Sequence, residues 1–216
     1  MTATPVKLDI MSDPICPWCY IGKTLLDRAL AEEGVHPFVI EWHPFQLNPD
    51  MPAEGMDRAD YLERKFGGKE NAVKTYGQIV AHAEANDIPL DVAAIKRTPN
   101  TLDAHRLLHW AKIDGKQNAV VDQLFDAYFQ QGRDIGDHEV LADIADSAGM
   151  DASVVMRLLK TDEDREDIQK RDQTAREMGV NSVPTFIVAG QHAVPGSQPP
   201  ELWRKVIAEL HAQQDQ

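Results

Sequence analysis

Cysteine is the scarcest informative residue in this chain, with only two among 216 residues, Cys16 and Cys19. Two cysteines are too few for the disulfide scaffold of a small secreted protein, and a chain of this length can bury a core without such cross-links. A closed structural zinc site would have to recruit two further ligands from distant histidines. Neither structural use of the pair is therefore favoured.

Positive charge is also in short supply, because 22 Lys and Arg stand against 35 Asp and Glu and give a net charge of −13 at pH 7. Such a balance repels the phosphates of nucleic acids and of anionic membranes. No stretch approaches the roughly 18 apolar residues of a membrane span, and no basic segment followed by an apolar one opens the sequence. We therefore predict no nucleic-acid partner, no membrane partner and a cytoplasmic location, where a permanent disulfide is disfavoured.

The two ends of the chain show mixed α/β patterning. Alternating apolar residues predict strands at Val6–Ile10 and Phe38–Trp42, and helical spacing predicts a helix from Pro17 to about Glu33 between them. At the other end the predicted elements are a helix over 161–178, a strand over 183–188 and a final helix after Pro199-Pro200.

The middle of the chain contains helix-length patterns and no convincing strand. The predicted helices span about 57–66, 70–85, 100–113, 117–131, 137–148 and 151–160. A β-α-β unit and an α-β-α unit thus enclose a helical block. We predict a discontinuous α/β domain formed by residues 1–56 and 161–216, with residues 57–160 as an inserted all-helical subdomain.

The segment Cys16-Pro17-Trp18-Cys19 begins the first predicted helix directly after a strand, the setting of a thioredoxin-like redox motif. A helix N-terminus carries roughly half a positive charge, which stabilises a thiolate on Cys16. At a spacing of three residues the two Cβ atoms lie about 5–6 Å apart, close to disulfide range. Cys16 could then attack a substrate sulfur and Cys19 could resolve the mixed disulfide. There are two alternatives. The cysteines could simply be neighbours on a buried helix, or they could supply two of the ligands of a metal site.

With Val183-Pro184 at the start of the last predicted strand, the chain resembles the DsbA family of the thioredoxin superfamily, and most closely its FrnE-like branch. The matching segments are 12–19, 45–49 and 100–106, together with the order of the elements. The resemblance implies a thioredoxin-like fold with a helical insertion. It also implies a cis peptide bond before Pro184, opposite the cysteines, and a free backbone edge at Val183 for an extended substrate.

Four further residues are candidates for substrate binding: the resemblance suggests Asn100 and His105 in the cleft between the two parts, and the positions of Trp18 and Asn48 in the sequence suggest the other two. Trp18 offers an apolar face beside the reactive sulfur, with packing against the inserted helices as an equal alternative. Asn48, Asn100 and His105 are weaker candidates, each of which could instead be a turn, cap or core residue. His105 and His109 are four residues apart on one helix, but we favour packing over metal binding and predict no metal site.

The favoured function is a cytoplasmic thiol-disulfide oxidoreductase without a bound cofactor. Its substrate would be a protein or small molecule with a thiol or disulfide, and glutathione or another low-molecular-weight thiol is a candidate co-substrate. One alternative is a glutathione-dependent isomerase or transferase similar to the 2-hydroxychromene-2-carboxylate isomerases and kappa-class transferases, which commonly carry serine at the first motif position. Another is a non-catalytic chaperone. A homodimer is a candidate assembly.

Overall fold

The computed structural model describes residues 5–214, and a four-stranded mixed sheet forms the centre of the fold. The strands are β1 (Val6–Ser12), β2 (Phe38–Pro44), β3 (Met56–Asp57), β4 (Arg97–Thr98), β5 (Thr185–Val188) and β6 (His192–Pro195). The central sheet has the order β2-β1-β5-β6; β1 runs parallel to β2, and the other pairs are antiparallel. Alternation buries Leu8 and Ile10 of β1 completely, as the sequence predicts.

Helices surround this sheet. They are α1 (Pro17–Glu33), α2 (Arg58–Phe66), α3 (Lys69–Ala85), α4 (Leu102–Ile113), α5 (Gln117–Phe129), α6 (His138–Ser147), α7 (Ala152–Leu159), α8 (Arg165–Glu177) and α9 (Pro200–Gln214). Asp137 and Asp151, at which two of the predicted helices begin, are the N-caps of α6 and α7, and their side chains accept hydrogen bonds from backbone amides of the first turns. None of these helices combines the length and the apolar character needed to cross a bilayer.

Three predictions of secondary structure need correction. The middle region is not free of strands, because β3 and β4 form a two-residue antiparallel ladder. The last predicted strand begins at Thr185 instead of Val183, and it continues through a tight turn into β6, which the sequence did not predict.

The third correction concerns the start of α8, which begins at Arg165 and not at Thr161. The buried guanidinium of Arg106 donates hydrogen bonds to the carbonyls of Leu158, Thr161 and Glu163. These hydrogen bonds keep the segment before α8 in a non-helical conformation. The acidic residues before α8 therefore lie in a connection that Arg106 of α4 organises.

A single hydrophobic core joins the sheet and the helices. Trp203 of α9 is fully buried, and its ring lies 4.7 Å from that of Phe186 and 6.5 Å from that of Phe38. The core continues from the strands into α4 and α5 without interruption. The chain boundaries at 57 and 160 remain a prediction, since the inserted helices pack directly on β2 and α1.

Candidate functional site

Cys16 is the N-cap residue of α1, as the sequence predicts. Its backbone is extended, with φ −85° and ψ 115°, and Pro17 occupies the first turn, where a missing amide hydrogen leaves no bond unmade. The Cys16 carbonyl accepts hydrogen bonds from the amides of Cys19 and Tyr20 at 3.0 and 3.2 Å. The sulfur is consequently held at the positive end of a helix of 17 residues.

Both cysteines are free thiols in a nearly dry environment, with exposed fractions of 4% for Cys16 and 1% for Cys19. Burial is the main reason why the pKa of Cys19 lies well above its usual value, and the neighbouring Cys16 sulfur raises it further. The Ser12 side chain and the Asp13 amide act in the opposite direction. Cys19 therefore stays protonated and lies within hydrogen-bonding reach of the Cys16 sulfur.

The peptide bond between Val183 and Pro184 is cis, which confirms the expectation from the family resemblance. The Cys16 sulfur lies 3.6 Å from the Val183 carbonyl oxygen, to which its thiol donates. The loop therefore lies directly against the first cysteine. Close approach of the loop to α1 depends on Gly22, because a Cβ atom at this position would lie 3.1 Å from Cγ of Pro184.

Asp13 is a buried carboxylate that the sequence interpretation missed. Its Oδ1 accepts from the Ile15 amide at 3.2 Å and its Oδ2 from the Leu47 amide at 2.6 Å. Complete burial raises its pKa from 3.8 to about 6, despite these hydrogen bonds. Its backbone carbonyl also accepts from the Cys16 amide at 2.9 Å. Asp13 therefore connects the cysteine turn to the loop after β2 through hydrogen bonds.

A groove of about 300 Å³ opens beside Cys16. Its walls come from the cysteine turn, from α2 and α3, and from the residues before cis-Pro184; they include Cys16, Trp18, Arg58, Tyr61, Lys65, Tyr76 and Val183. Trp18 both lines this groove and packs on α3, where its ring lies 5.3 Å from that of His82. Trp18 thus lines the groove and packs on the inserted helices at once, and its contact with a substrate stays a prediction.

The asparagines of the predicted cleft occupy supporting positions. Asn48 lies next to the groove without lining it, and its Oδ1 accepts from the Tyr61 hydroxyl at 3.1 Å and from Lys65 Nζ at 3.4 Å. Asn100 lies one residue before Thr101, the N-cap of α4; its Oδ1 accepts from the Leu102 amide at 2.9 Å, and its Nδ2 donates to the Met51 carbonyl. Asn48 thus positions groove residues, whereas Asn100 stabilises the start of a helix.

His105 does not line the groove, contrary to its interpretation as a cleft residue. It is 2% exposed and borders a small separate cavity near Trp42 and His109. Burial, together with the positive charge of Arg171, lowers its pKa to about 3. The helical spacing could not show which face of α4 turns towards the cysteines. His105 is therefore a neutral core residue, as the packing alternative holds.

Arg58 and Asp13 are the groove and turn residues that sequence reasoning did not single out. Arg58 occupies the first turn of a predicted helix, a position with no visible motif. Asp13 was included in the segment 12–19 that resembles the family, but it was given no role of its own. A charged residue three positions before Cys16 was a signal in the sequence, but its burial depends on Leu47, which lies 34 positions away.

This geometry, a dithiol at a helix N-terminus opposite a cis-proline loop, defines a thioredoxin-like redox site with an inserted helical region. Residues 7–208 match the family described as the DSBA-like thioredoxin domain. The chain therefore belongs to the DSBA-like thioredoxin domain family, which includes thiol-disulfide oxidoreductases. The fold class and the family predicted from the sequence are confirmed.

Solved structures with this architecture agree over nearly the whole chain. A probable DsbA oxidoreductase from Streptomyces coelicolor, SCO1869, is 28% identical with a TM-score of 0.83, and the match covers 96% of this chain and 91% of that one. A 2-hydroxychromene-2-carboxylate isomerase is 16% identical with a TM-score of 0.73, and the match covers 97% and 98% of the two chains.

A third similar structure is that of the cytosolic disulfide reductase DsbM from Pseudomonas aeruginosa, determined with GSH. It is 18% identical with a TM-score of 0.67, and the match covers 97% of this chain and all of the other, 100%. At these identities the isomerase and DsbM show a shared fold. Because the fold carries more than one chemistry, the function must be argued from the site.

Proposed function

We propose that this protein is a thiol-disulfide oxidoreductase in which Cys16 is the nucleophile and Cys19 the resolving thiol. The observation that carries the proposal is the asymmetry of the pair. Cys16 caps a helix and borders a groove, whereas Cys19 is buried beneath it with a raised pKa. The Cys16 sulfur is at the groove, where a bound substrate would meet it, and Cys19 remains protonated until Cys16 has reacted.

Reduction of a disulfide follows two exchange steps. The Cys16 thiolate attacks one substrate sulfur, a Cys16–substrate disulfide forms, and the second substrate sulfur leaves with the electron pair of the broken bond. Cys19 then loses its proton and attacks the Cys16 sulfur, which forms the Cys16–Cys19 disulfide and releases the other substrate thiolate. Both thiolates take up protons, so two cysteine thiols are oxidised and one disulfide is reduced. Oxidation of a dithiol is the reverse.

The cis-proline loop supplies the proposed substrate edge. The Val183 carbonyl is 3.6 Å from the Cys16 sulfur, so a substrate chain that pairs with this backbone brings its own sulfur beside the nucleophile. Trp18 contributes an apolar wall, and Asn48 orients Tyr61 and Lys65 at the rim. The substrates in this proposal are thiols or disulfides, with glutathione or another small thiol as a candidate co-substrate.

A cytoplasmic location is part of the proposal. Its support is the composition, since the two cysteines of the motif are the only ones in the chain and none is left for a structural disulfide. Fractionation of cells that produce the protein from its own gene tests this location.

Two single substitutions test the exchange chemistry. Cys19→Ser removes the resolving thiol, so we expect substrate disulfides to accumulate on Cys16, and mass spectrometry of intact protein after rapid acid quenching identifies the adducts. Cys16→Ser should give no adduct with 2-hydroxyethyl disulfide, because the nucleophilic sulfur is gone. A Cys16→Ser protein that forms this adduct as fast as the Cys19→Ser protein would contradict the proposal.

The same pair of variants separates the alternatives. A glutathione-dependent isomerase needs no second thiol, so Cys19→Ser would be silent and a serine at position 16 would be tolerated. The complete dithiol argues against that function. A chaperone would prevent aggregation equally well in Cys16→Ser, and the parent protein would show no redox turnover.

A further inference from the structure

Two positive side chains border the groove that contains Cys16. Arg58 comes from the first turn of α2 and Lys65 from its last turn. Neither has a carboxylate oxygen within 4.0 Å among residues 5–214, although acidic residues outnumber basic ones in the chain. Half of the 22 Lys and Arg side chains have such a partner in the described part of the chain, so what distinguishes this pair is the burial of Arg58 and the position of both cations in one groove.

Arg58 is 94% buried, since only 6% of it is exposed, and all its observed partners are neutral. Its guanidinium donates to the hydroxyls of Thr98, Tyr128 and Tyr76 and lies 5.0 Å from the centre of the Tyr76 ring. A buried cation without a counter-ion costs several kcal/mol unless something compensates it. Hydroxyls and aromatic faces supply part of this compensation, and an anionic ligand would supply the rest.

Lys65 is exposed at the rim of the same groove. Its Nζ donates to the Tyr61 hydroxyl at 2.7 Å and lies 3.4 Å from Asn48 Oδ1. The carboxylate that it influences electrostatically is Asp13, which is fully buried and already accepts from two backbone amides. The positive charge of Lys65 is therefore held in place by neutral groups and remains available to a ligand.

Among the residues that the structure describes, none that lines the groove is acidic. We propose that Arg58 and Lys65 form an anion-binding site beside Cys16, and that the substrate is a small thiol or disulfide with a carboxylate group. This inference rests on the proposed thiol-disulfide exchange. Anion binding at this groove would be opposite to what the overall charge predicts, because a net charge of −13 by itself repels anions.

The dimensions of the site favour a small molecule over a folded protein. The Cys16 sulfur belongs to a residue that is 4% exposed, and the adjoining groove of about 300 Å³ matches the lower end of small-ligand sites. A sulfur so covered is harder to reach for a disulfide on the surface of a folded protein than for a small disulfide inside the groove. A small disulfide could enter with its carboxylate towards Arg58 and Lys65.

The chemical step is the first exchange of the proposed mechanism. The Cys16 thiolate attacks the near sulfur of the carboxylate-bearing disulfide, the new Cys16–sulfur bond forms, and the far half leaves as a thiolate that takes a proton from water. The two cations attract the carboxylates of the incoming disulfide and of the transition state. Arg58 and Lys65 should therefore raise the second-order rate constant of this step for disulfides that carry carboxylates.

Three small symmetrical disulfides test the inference in the full-length Cys19→Ser protein. They are 3,3′-dithiodipropionate with two carboxylates, 2-hydroxyethyl disulfide with no charge, and cystamine with two ammonium groups. Adduct formation on Cys16 is followed by mass spectrometry, and each rate constant is divided by that of the same disulfide with 2-mercaptoethanol. At low salt we expect a preference of about tenfold for the dianion over the neutral disulfide, with cystamine slowest.

Substitutions in the same background locate the preference. Lys65→Gln and Arg58→Gln should each lower the ratio of dianion to neutral disulfide from about tenfold to about threefold, and the double substitution should bring it near one. Arg64→Gln removes the same charge from an exposed position of α2 outside the groove, and both rate constants should stay unchanged. If Arg58→Gln is unfolded by circular dichroism, Lys65→Gln decides the matter.

The outcomes separate the two proposals. A parent ratio at or below one, or a ratio that Lys65→Gln leaves unaltered, overturns the anion site while the exchange chemistry stands. If insulin forms an adduct with Cys16 as fast as the dianionic disulfide does, the restriction to small substrates is wrong. Failure of all three small disulfides to modify Cys16 overturns the exchange chemistry, and the anion site with it.

Discussion

At the scale of single residues, the site depends on which buried side chains border the groove and which lie away from it. Cys16 and Cys19 are three positions apart, yet one borders a groove and the other has a protonated, buried thiol. The spacing and the helix start could be predicted from the sequence because both are local. The burial of Asp13 could not, because it requires the Leu47 amide from a distant loop.

Asp13 gives the fold a specific pH dependence. Its pKa is about 6 in the folded protein and 3.8 ordinarily, so the folded state holds its proton over a range in which the unfolded chain has lost it. Stability therefore falls as pH rises from about 4 to 6, by on the order of 3 kcal/mol from this group. Asp13→Asn should remove that fall, which urea unfolding at pH 4, 5, 6 and 7 measures.

The matched control for this prediction is Asp50→Asn, at an exposed position of the loop after β2. The difference in unfolding free energy between this control and the parent should be nearly constant over the same pH values. A constant difference between Asp13→Asn and the parent would show that Asp13 does not titrate in this range.

At the scale of elements, the redox site depends on the contact between α1 and the cis-proline loop. Gly22 lies one turn after Cys19 in the sequence, and its missing side chain lets Pro184 and Ser197 approach α1. The helix and the Val183-Pro184 segment could each be predicted from the sequence. Their contact could not, because a glycine inside a helical pattern does not reveal what packs against it.

A pair of glycines makes this contact testable. Gly22 and Gly77 are both inside helices, but a Cβ at Gly77 meets no atom within 4 Å. Gly77→Ala should therefore stabilise the protein by about 1 kcal/mol through helix propensity. Gly22→Ala should lack this gain, and Gly22→Leu should lose about 1–3 kcal/mol through overpacking. Equal effects of alanine at the two positions in thermal or urea unfolding would contradict the close contact.

Other elements show where patterns mislead. β6 escaped prediction because His192–Pro195 is short and exposed, so its strand character comes from pairing with β5. The start of α8 was placed too early because its acidic residues resemble a helix beginning, whereas Arg106 binds the carbonyls of that segment. In both cases a distant partner overrides the local sequence.

At the scale of the whole molecule, the inserted helices account both for the length of the chain and for the positive charge beside Cys16. The length is accounted for by a thioredoxin-like fold whose chain is interrupted by helices α2 to α7. These helices also supply one wall of the groove, including the two unpaired cations. The strongly negative chain thus presents a local positive site at its reactive sulfur, which composition alone does not reveal.

The central claim is that Cys16 and Cys19 form a reversible dithiol/disulfide couple. The most direct measurement equilibrates the parent protein in a series of glutathione redox buffers, quenches it with acid, alkylates free thiols and determines the mass of the Cys16–Cys19 peptide. We predict a single reversible two-electron transition from the doubly alkylated peptide to one that has lost two hydrogens and carries no label. A peptide that stays doubly alkylated, or that retains glutathione on Cys16, would contradict the account.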